Sequence, residues 1–251
     1  MKIKKTHSLI YGNFFELLSK PNYQNTFFGN EKEINSKNFR SNEFIKDHKS
    51  KHILFSGCSV TSGVGLLEEE IWSKKVYNKI LEKEECSGYF NIAISATGVC
   101  DQVSNMFKYF NIYGNPDVIF FMMPDNGRFY AYDKEFKKVR NAFVEDEDRN
   151  LILFLYKQYY MMLESYCKTN NIDLFSFTYI NELQENFKKY FKTFYEIDKN
   201  KMIDFVFDYI ENNKKNQYLE KARDNEHFGI AYHEYWSNFI YEIYKKNKKK
   251  N

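Results

Sequence analysis

Ile53-Leu54-Phe55 is an uninterrupted apolar run that stops abruptly at Ser56-Gly57. So short a run, closed by a small-residue turn, reads as a fully buried strand of a parallel sheet. The residues that follow are nearly all small: Cys58, Ser59, Thr61, Ser62, Gly63 and Gly65. In open α/β sheets the loop leaving the carboxyl end of a central strand is where ligands and chemistry collect. A serine there, at the mouth of a helix, lies beside backbone N–H groups that have no partner within the helix. Ser59 is therefore a candidate nucleophile, against the plain alternative of a turn serine.

The pattern downstream repeats strand and helix. Glu68-Glu69-Glu70 suits a helix N-terminus. Trp72, Val76 and Ile80 then set an apolar face, and the spacing predicts a helix over 68–84. A strand is expected at 89–95, followed by the turn Ala96-Thr97-Gly98. Val103, Met106, Phe107 and Phe110 form an i, i+3, i+4, i+7 stripe, which is core packing. Val118 to Met123 forms a third strand ending at Pro124-Asp125-Asn126-Gly127-Arg128. Residues 131–147 are charged and read as a surface excursion. A long helix follows at 148–170, with Ile152, Leu155, Tyr159, Met162, Leu163 and Tyr166 facing in. A fourth strand is expected at 172–179, helices within 181–221, and a last helix at 229–247. A fifth strand is not obvious and would have to hide between 180 and 224. Alternating strands and helices with short connections imply a parallel sheet covered on both faces.

The 251 residues carry no internal repeat and no Pro/Gly/Ser-rich linker, so one domain is expected. Residues 1–50 read as an N-terminal extension wrapping the domain, with a short helix at 13–19. Residues 51–247 read as the α/β domain, and 248–251 as a basic tail. Twenty-five Phe and 21 Tyr predict a core built from rings as much as from aliphatics. Five lysines lie between 245 and 250, and without them the net charge of +3 becomes −2, which argues against nucleic-acid binding. That tail reads as a solvated, frayed helix end. Cys58, Cys86, Cys100 and Cys167 show no C-x-x-C and fit a reducing compartment. No signal peptide or membrane span is legible, so a cytoplasmic location is expected.

A serine hydroxyl needs a base to take its proton, and a histidine base needs a carboxylate to hold its tautomer. Asp224 and His227 stand three apart just before the last helix, where parallel topology can bring them to the strand exits. His233 reads as a surface or packing histidine, and Cys58 as a packed thiol. Backbone N–H groups at Ser59 and around Ala96–Gly98, with the Asn126 amide, are candidate oxyanion donors.

These blocks resemble the SGNH/GDSL hydrolase family. Gly57-Cys58-Ser59-Val60 is similar to its first block, usually G-D-S-L. Asn91 to Gly98 is similar to the second, Asp125-Asn126 to the third, and Asp224-Asn-Glu-His227 matches the D-x-x-H of the fourth. Asn35 to Arg40 is similar to an N-S-x-G-F-R segment of some members, with Asn38 at the usual Gly. Cys58 stands where Asp is usual, and Ala96 or Gly98 where the second block has Gly. The resemblance implies a three-layer α/β/α sandwich with a flavodoxin-like parallel sheet of four to five strands. It implies Ser59, His227 and Asp224 as a triad, an oxyanion hole from Ser59, Ala96 or Gly98 and Asn126, and neither cofactor nor metal. Arg128 is a candidate for holding a substrate group. The substrate class implied is an ester, an O-acyl group on carbohydrate or a small carboxylic ester. Two alternatives stay open: an O-acyltransferase, and an inactive protein binding a glycan or partner.

Overall fold

The computed structural model describes residues 7–9, 34–124, 128–133, 138–143 and 149–248. Four parallel strands form the central sheet: β2 (Lys51–Ser56), β3 (Cys86–Asn91), β4 (Val118–Met122) and β7 (Asp173–Phe177). They lie in the order β3-β2-β4-β7. The chain therefore runs outward from β2 to β3, then crosses back to the other side of β2. That reversal puts the β2 exit at a topological switch point, where ligands bind in such sheets.

Alternation along the strands sorts the core into two layers. Ile53, Phe55, Val118, Phe120, Met122, Phe175 and Phe177 point to one face. They pack against α2 (Trp72–Leu81), α6 (Lys199–Asn212) and α7 (Ile230–Lys248). Leu54, Phe90, Ile119, Phe121 and Leu174 point to the other. There they meet α3 (Val99–Tyr113), α4 (Arg149–Thr169) and α5 (Asn181–Lys188). The result is the three-layer α/β/α sandwich expected, with rings in both layers: Phe55, Phe120 and Phe175 stack in series across neighbouring strands. Each fully buried ring of this kind contributes about 2–3 kcal/mol.

Several boundaries differ from the sequence reading. Glu68–Glu70 is a separate 3-10 turn before α2, because Ile71 is extended (ψ 135°) and fully buried. The second strand ends at Asn91 instead of 95, although Ile94 still donates to Gly57 O at 3.0 Å. On α4 the buried residues are Ile152, Leu153, Tyr156, Tyr160, Leu163 and Cys167, while Met162 is exposed. This helix is apolar around much of its circumference, so the sheet and α3, not periodicity, choose its inner face. Within 131–147 the described residues form strand. β5 (Arg128–Asp133) and β6 (Lys138–Phe143) form an antiparallel hairpin, and β1 (His7–Leu9) pairs with β5. The Phe and Tyr content of Arg128–Asp133 suits a strand better than its charges suggest. No fifth strand joins the central sheet among the described residues; Phe194 makes one parallel bridge to Ser176. The helix expected at 13–19 lies outside the described residues.

Helix α7 continues to Lys248, which pairs with Glu84, as does Lys51. Among the described residues no helix is long and apolar enough to cross a membrane.

Candidate active site

Ser59 opens α1 (Ser59–Ser62), a single turn directly after β2, and Ser59 to Leu66 is buried throughout. Gly57 makes the sharp exit possible, since a Cβ there would clash with Thr61 and stand 2.9 Å from Met122 O. Cys58 is the cap residue; its carbonyl accepts from Thr61 N (3.0 Å) and Ser62 N (2.9 Å), and its thiol side is buried. The Ser59 carbonyl accepts from Gly63 N (2.9 Å) and Val64 N (3.1 Å), and Gly63 closes the turn at φ 76°.

Three neighbours pin this turn. Asn91, at the end of β3, donates its Nδ2 to Thr61 O at 2.9 Å. Ser62 Oγ lies 3.1 Å from Ser95 Oγ, joining the turn to the loop after β3. Arg40, only 3% exposed, donates Nη1 to Gly63 O (2.9 Å) and Leu66 O (2.8 Å). The segment that presents Arg40 is itself folded by Asn35, whose Oδ1 accepts from Lys37 N and Phe39 N. Asn38 sits in the left-handed region at φ 65°, which Asn tolerates. The Asn35–Arg40 stretch stands out in sequence, but nothing in it signals this buried role for Arg40.

Asp224 and His227 meet as the sequence expects. His227 Nδ1 lies 2.6 Å from Asp224 Oδ2, while Asp224 Oδ1 accepts from the backbone N–H of Glu226 and of His227, both at 3.1 Å. Burial pushes the Asp224 carboxyl up, but these amides and the imidazole outweigh it and hold it below the usual carboxylate range. An ionised Asp224 fixes the His227 proton on Nδ1 and leaves Nε2 as the basic atom. The side chains are 26% exposed for His227 and 22% for Asp224, whereas Ser59 is 6% exposed. The loop carrying the pair folds back on itself. Lys221 bridges Phe228, Ala222 N donates to His227 O (3.0 Å), and Asn225 takes φ 60° at the bend.

The two loops touch directly. Arg223 N donates to Gly65 O at 3.0 Å, and Gly65 packs on Ala222 and Asp224. Among the described residues no hydrogen bond joins the Ser59 hydroxyl to His227; the nucleophile loop and the acid–base loop meet through this backbone contact.

The loop after β3 offers a possible donor. Ala96 is held at φ 63°, a conformation that glycine adopts without cost and that strains alanine by about 1–2 kcal/mol. A buried network stiffens this loop: Thr97 Oγ1 donates to Ile94 O (2.6 Å), and Gln102 Nε2 reaches the same carbonyl (3.2 Å). Ser56 Oγ in turn donates to Gln102 Oε1 (3.0 Å). The Gly98 N–H donates to Asp101 Oδ2 at 2.9 Å and is thereby engaged, so it is not free to bind an oxyanion. Among the described residues no hydrogen bond occupies the N–H of Ser59 or of Ala96. Asn126 lies outside the described residues, and Arg128 is placed only as the first residue of β5. His233 is a buried packing residue: its Nδ1 accepts from Trp72 N at 3.0 Å.

No family model matches the sequence, and no curated protein matches it. A solved structure titled "Crystal Structure of TesA" is similar, with 12% identity, a TM-score of 0.46, and coverage of 76% of this chain and 96% of that one.

Proposed function

We propose that this protein is a serine hydrolase of the SGNH type acting on an ester, with Ser59 as nucleophile, His227 as base and acid, and Asp224 as orienting carboxylate. The observation that carries the reading is the oriented His227–Asp224 pair, at 2.6 Å, docked through Gly65 on the loop that begins at Ser59. Ser59 Oγ attacks the acyl carbonyl as His227 Nε2 takes its proton. The N–H groups of Ser59 and Ala96 receive the negative charge on the carbonyl oxygen; one such donor typically lowers the barrier by about 3 kcal/mol. Collapse of the tetrahedral intermediate breaks the ester C–O bond, and His227 returns the proton to the leaving alkoxide. Water, deprotonated by the same imidazole, then releases the acid from the acyl-serine. Hydrogen bonds between nucleophile and base are often long before substrate binds, and tighten in the complex.

The substrate class proposed is an O-acyl group on a carbohydrate or a small carboxylic ester. A fluorophosphonate probe and a short-chain nitrophenyl ester test the reading together. Wild-type protein is expected to become labelled at Ser59 and to turn over the ester, and Ser59→Ala to do neither. Undiminished turnover in Ser59→Ala would remove Ser59 from the mechanism.

A further inference from the structure

We propose that Arg223 and Glu70 form a positioning clamp that sets the spacing between the nucleophile and its acid–base pair. This rests on the serine-hydrolase reading of the site. Arg223 immediately precedes Asp224, and its guanidinium reaches across to Glu70 with two bonds: Nη1 to Oε2 at 2.5 Å and Nη2 to Oε1 at 2.9 Å. A two-pronged pair of this kind fixes orientation as well as distance. Glu70 Oε2 also accepts from Leu67 N at 2.8 Å, so the carboxylate is tied to the end of the nucleophile loop. The face of the guanidinium lies 4.5 Å from the centre of the Tyr218 ring, which limits its sideways travel. Arg223 and Glu70 are 17% and 14% exposed, too covered to be an ordinary surface ion pair.

The clamp lies in parallel with a backbone path that runs from one reacting group to the other. Gly63 N and Val64 N hold the Ser59 carbonyl, Gly65 O receives the Arg223 N–H, and Asp224 receives His227. The one link of that path that crosses between the loops, Arg223 N to Gly65 O, is a single backbone hydrogen bond. The bidentate side-chain pair closes a second connection between the same two loops, and two connections fix a hinge that one would leave free to rotate. A displacement of about 1 Å between reacting groups costs on the order of a hundredfold in rate. The clamp therefore acts through the positions of Ser59 and His227, with Arg223 touching neither the substrate nor the reacting atoms.

The test uses Glu70→Gln and the milder Arg223→Lys, which keeps the charge but loses the fork. With a short-chain nitrophenyl ester, kcat is expected to fall ten- to a hundredfold in Glu70→Gln with KM unchanged. Arg223→Lys is expected to fall less, and fluorophosphonate labelling of Ser59 to slow in step. A purely structural role would lower the melting temperature and leave kcat of the folded fraction intact. A second readout does not depend on activity: hydrogen exchange at the Arg223 amide, which donates to Gly65 O. It should accelerate at least tenfold in Glu70→Gln while amides of β4 keep their protection. Wild-type kcat together with wild-type exchange in both variants would overturn the clamp. Should wild-type protein neither hydrolyse the ester nor take the probe, the serine-hydrolase reading fails, and the exchange measurement alone decides whether the two loops are clamped.

Discussion

Gly65 lies so close to Asp224 that a Cβ at position 65 would stand 3.0 Å from the Asp224 carboxyl carbon and 2.8 Å from the Ala222 Cβ. Gly65 is also in the left-handed region, at φ 78°. Gly65→Ala therefore meets two penalties, backbone strain of about 1–2 kcal/mol and displacement of the loop that carries Asp224 and His227. The variant is expected to unfold at lower urea concentration and to lose more than tenfold in kcat. Loss of stability with full kcat in the folded protein would show that Asp224 tolerates the shift.

Asp224→Asn keeps the acceptor for the Glu226 and His227 amides through its carbonyl oxygen, so the loop should remain folded. Its NH2 group, however, turns a donor toward His227 Nδ1 and drives the imidazole proton to Nε2, where the base is needed. A kcat loss of about 10³–10⁴-fold with little change in KM is expected, from the cost of the wrong tautomer in such triads. Steady-state kinetics on the nitrophenyl ester, beside a near-UV circular dichroism spectrum, checks both halves of the statement.

The central sheet was legible because its strands announce themselves. Ile53-Leu54-Phe55 and Val118 to Met122 are apolar on both faces, which only a doubly covered strand can satisfy. Ser59, Asp224 and His227 were legible as short motifs, and the structure pairs Asp224 with His227 and docks their loop on the loop of Ser59. What sequence could not supply was the hardware between the motifs. Glu70 reads as one of three glutamates suited to a helix start, and Arg223 as a charge on a loop; their pairing spans 153 positions and leaves no periodic trace. The inner face of α4 is not legible in sequence for a related reason. A helix carrying Leu151, Phe154, Leu155, Tyr159, Met161 and Met162 besides its buried residues offers several apolar faces, and only the packed partner chooses. Gly98 stands close to Ala96 in the second block, but Asp101, three residues on, takes its N–H.

Arg40 is a buried cation whose Nη1 serves two carbonyls, Gly63 O and Leu66 O, on the loop that follows the nucleophile. Arg40→Met removes the charge at similar length but leaves both buried carbonyls without that donor. Gly63 O keeps the Leu66 N–H at 3.1 Å, so the penalty for an unsatisfied buried group falls on Leu66 O; a destabilisation of about 1–3 kcal/mol is expected in urea unfolding, with Arg40→Lys recovering part of it. Fluorophosphonate labelling should also slow in Arg40→Met, since Gly63 and Val64 hold the Ser59 carbonyl. A variant as stable as wild type would mean that water satisfies the Leu66 carbonyl.

Acid should loosen this fold before it titrates ordinary carboxylates. Burial lowers His52 to about 3, with His48 beside it adding to the effect and the Asn115 carbonyl opposing it. Burial likewise lowers His233 to about 3, with Lys75 and His227 reinforcing. Both rings are therefore neutral in the folded state where the unfolded chain, titrating near 6.5, has begun to take up protons. Asp101 works in the other direction: burial raises it to about 7 against the opposing Gly98 N–H, so the folded state holds a proton that the unfolded chain has lost. Between pH 6 and 4.5 the two histidines give the unfolded state up to two extra protons, and Asp101 gives the folded state one. The balance is close to one proton, which makes stability fall by about 1.4 kcal/mol for each unit the pH drops. His48, stacked on His52 at 3.4 Å and also lowered by burial, steepens the slope. Urea unfolding measured at half-unit intervals from pH 7 to 4.5 checks the slope. A stability independent of pH across that range would show that at least one of the buried histidines is charged in the folded protein.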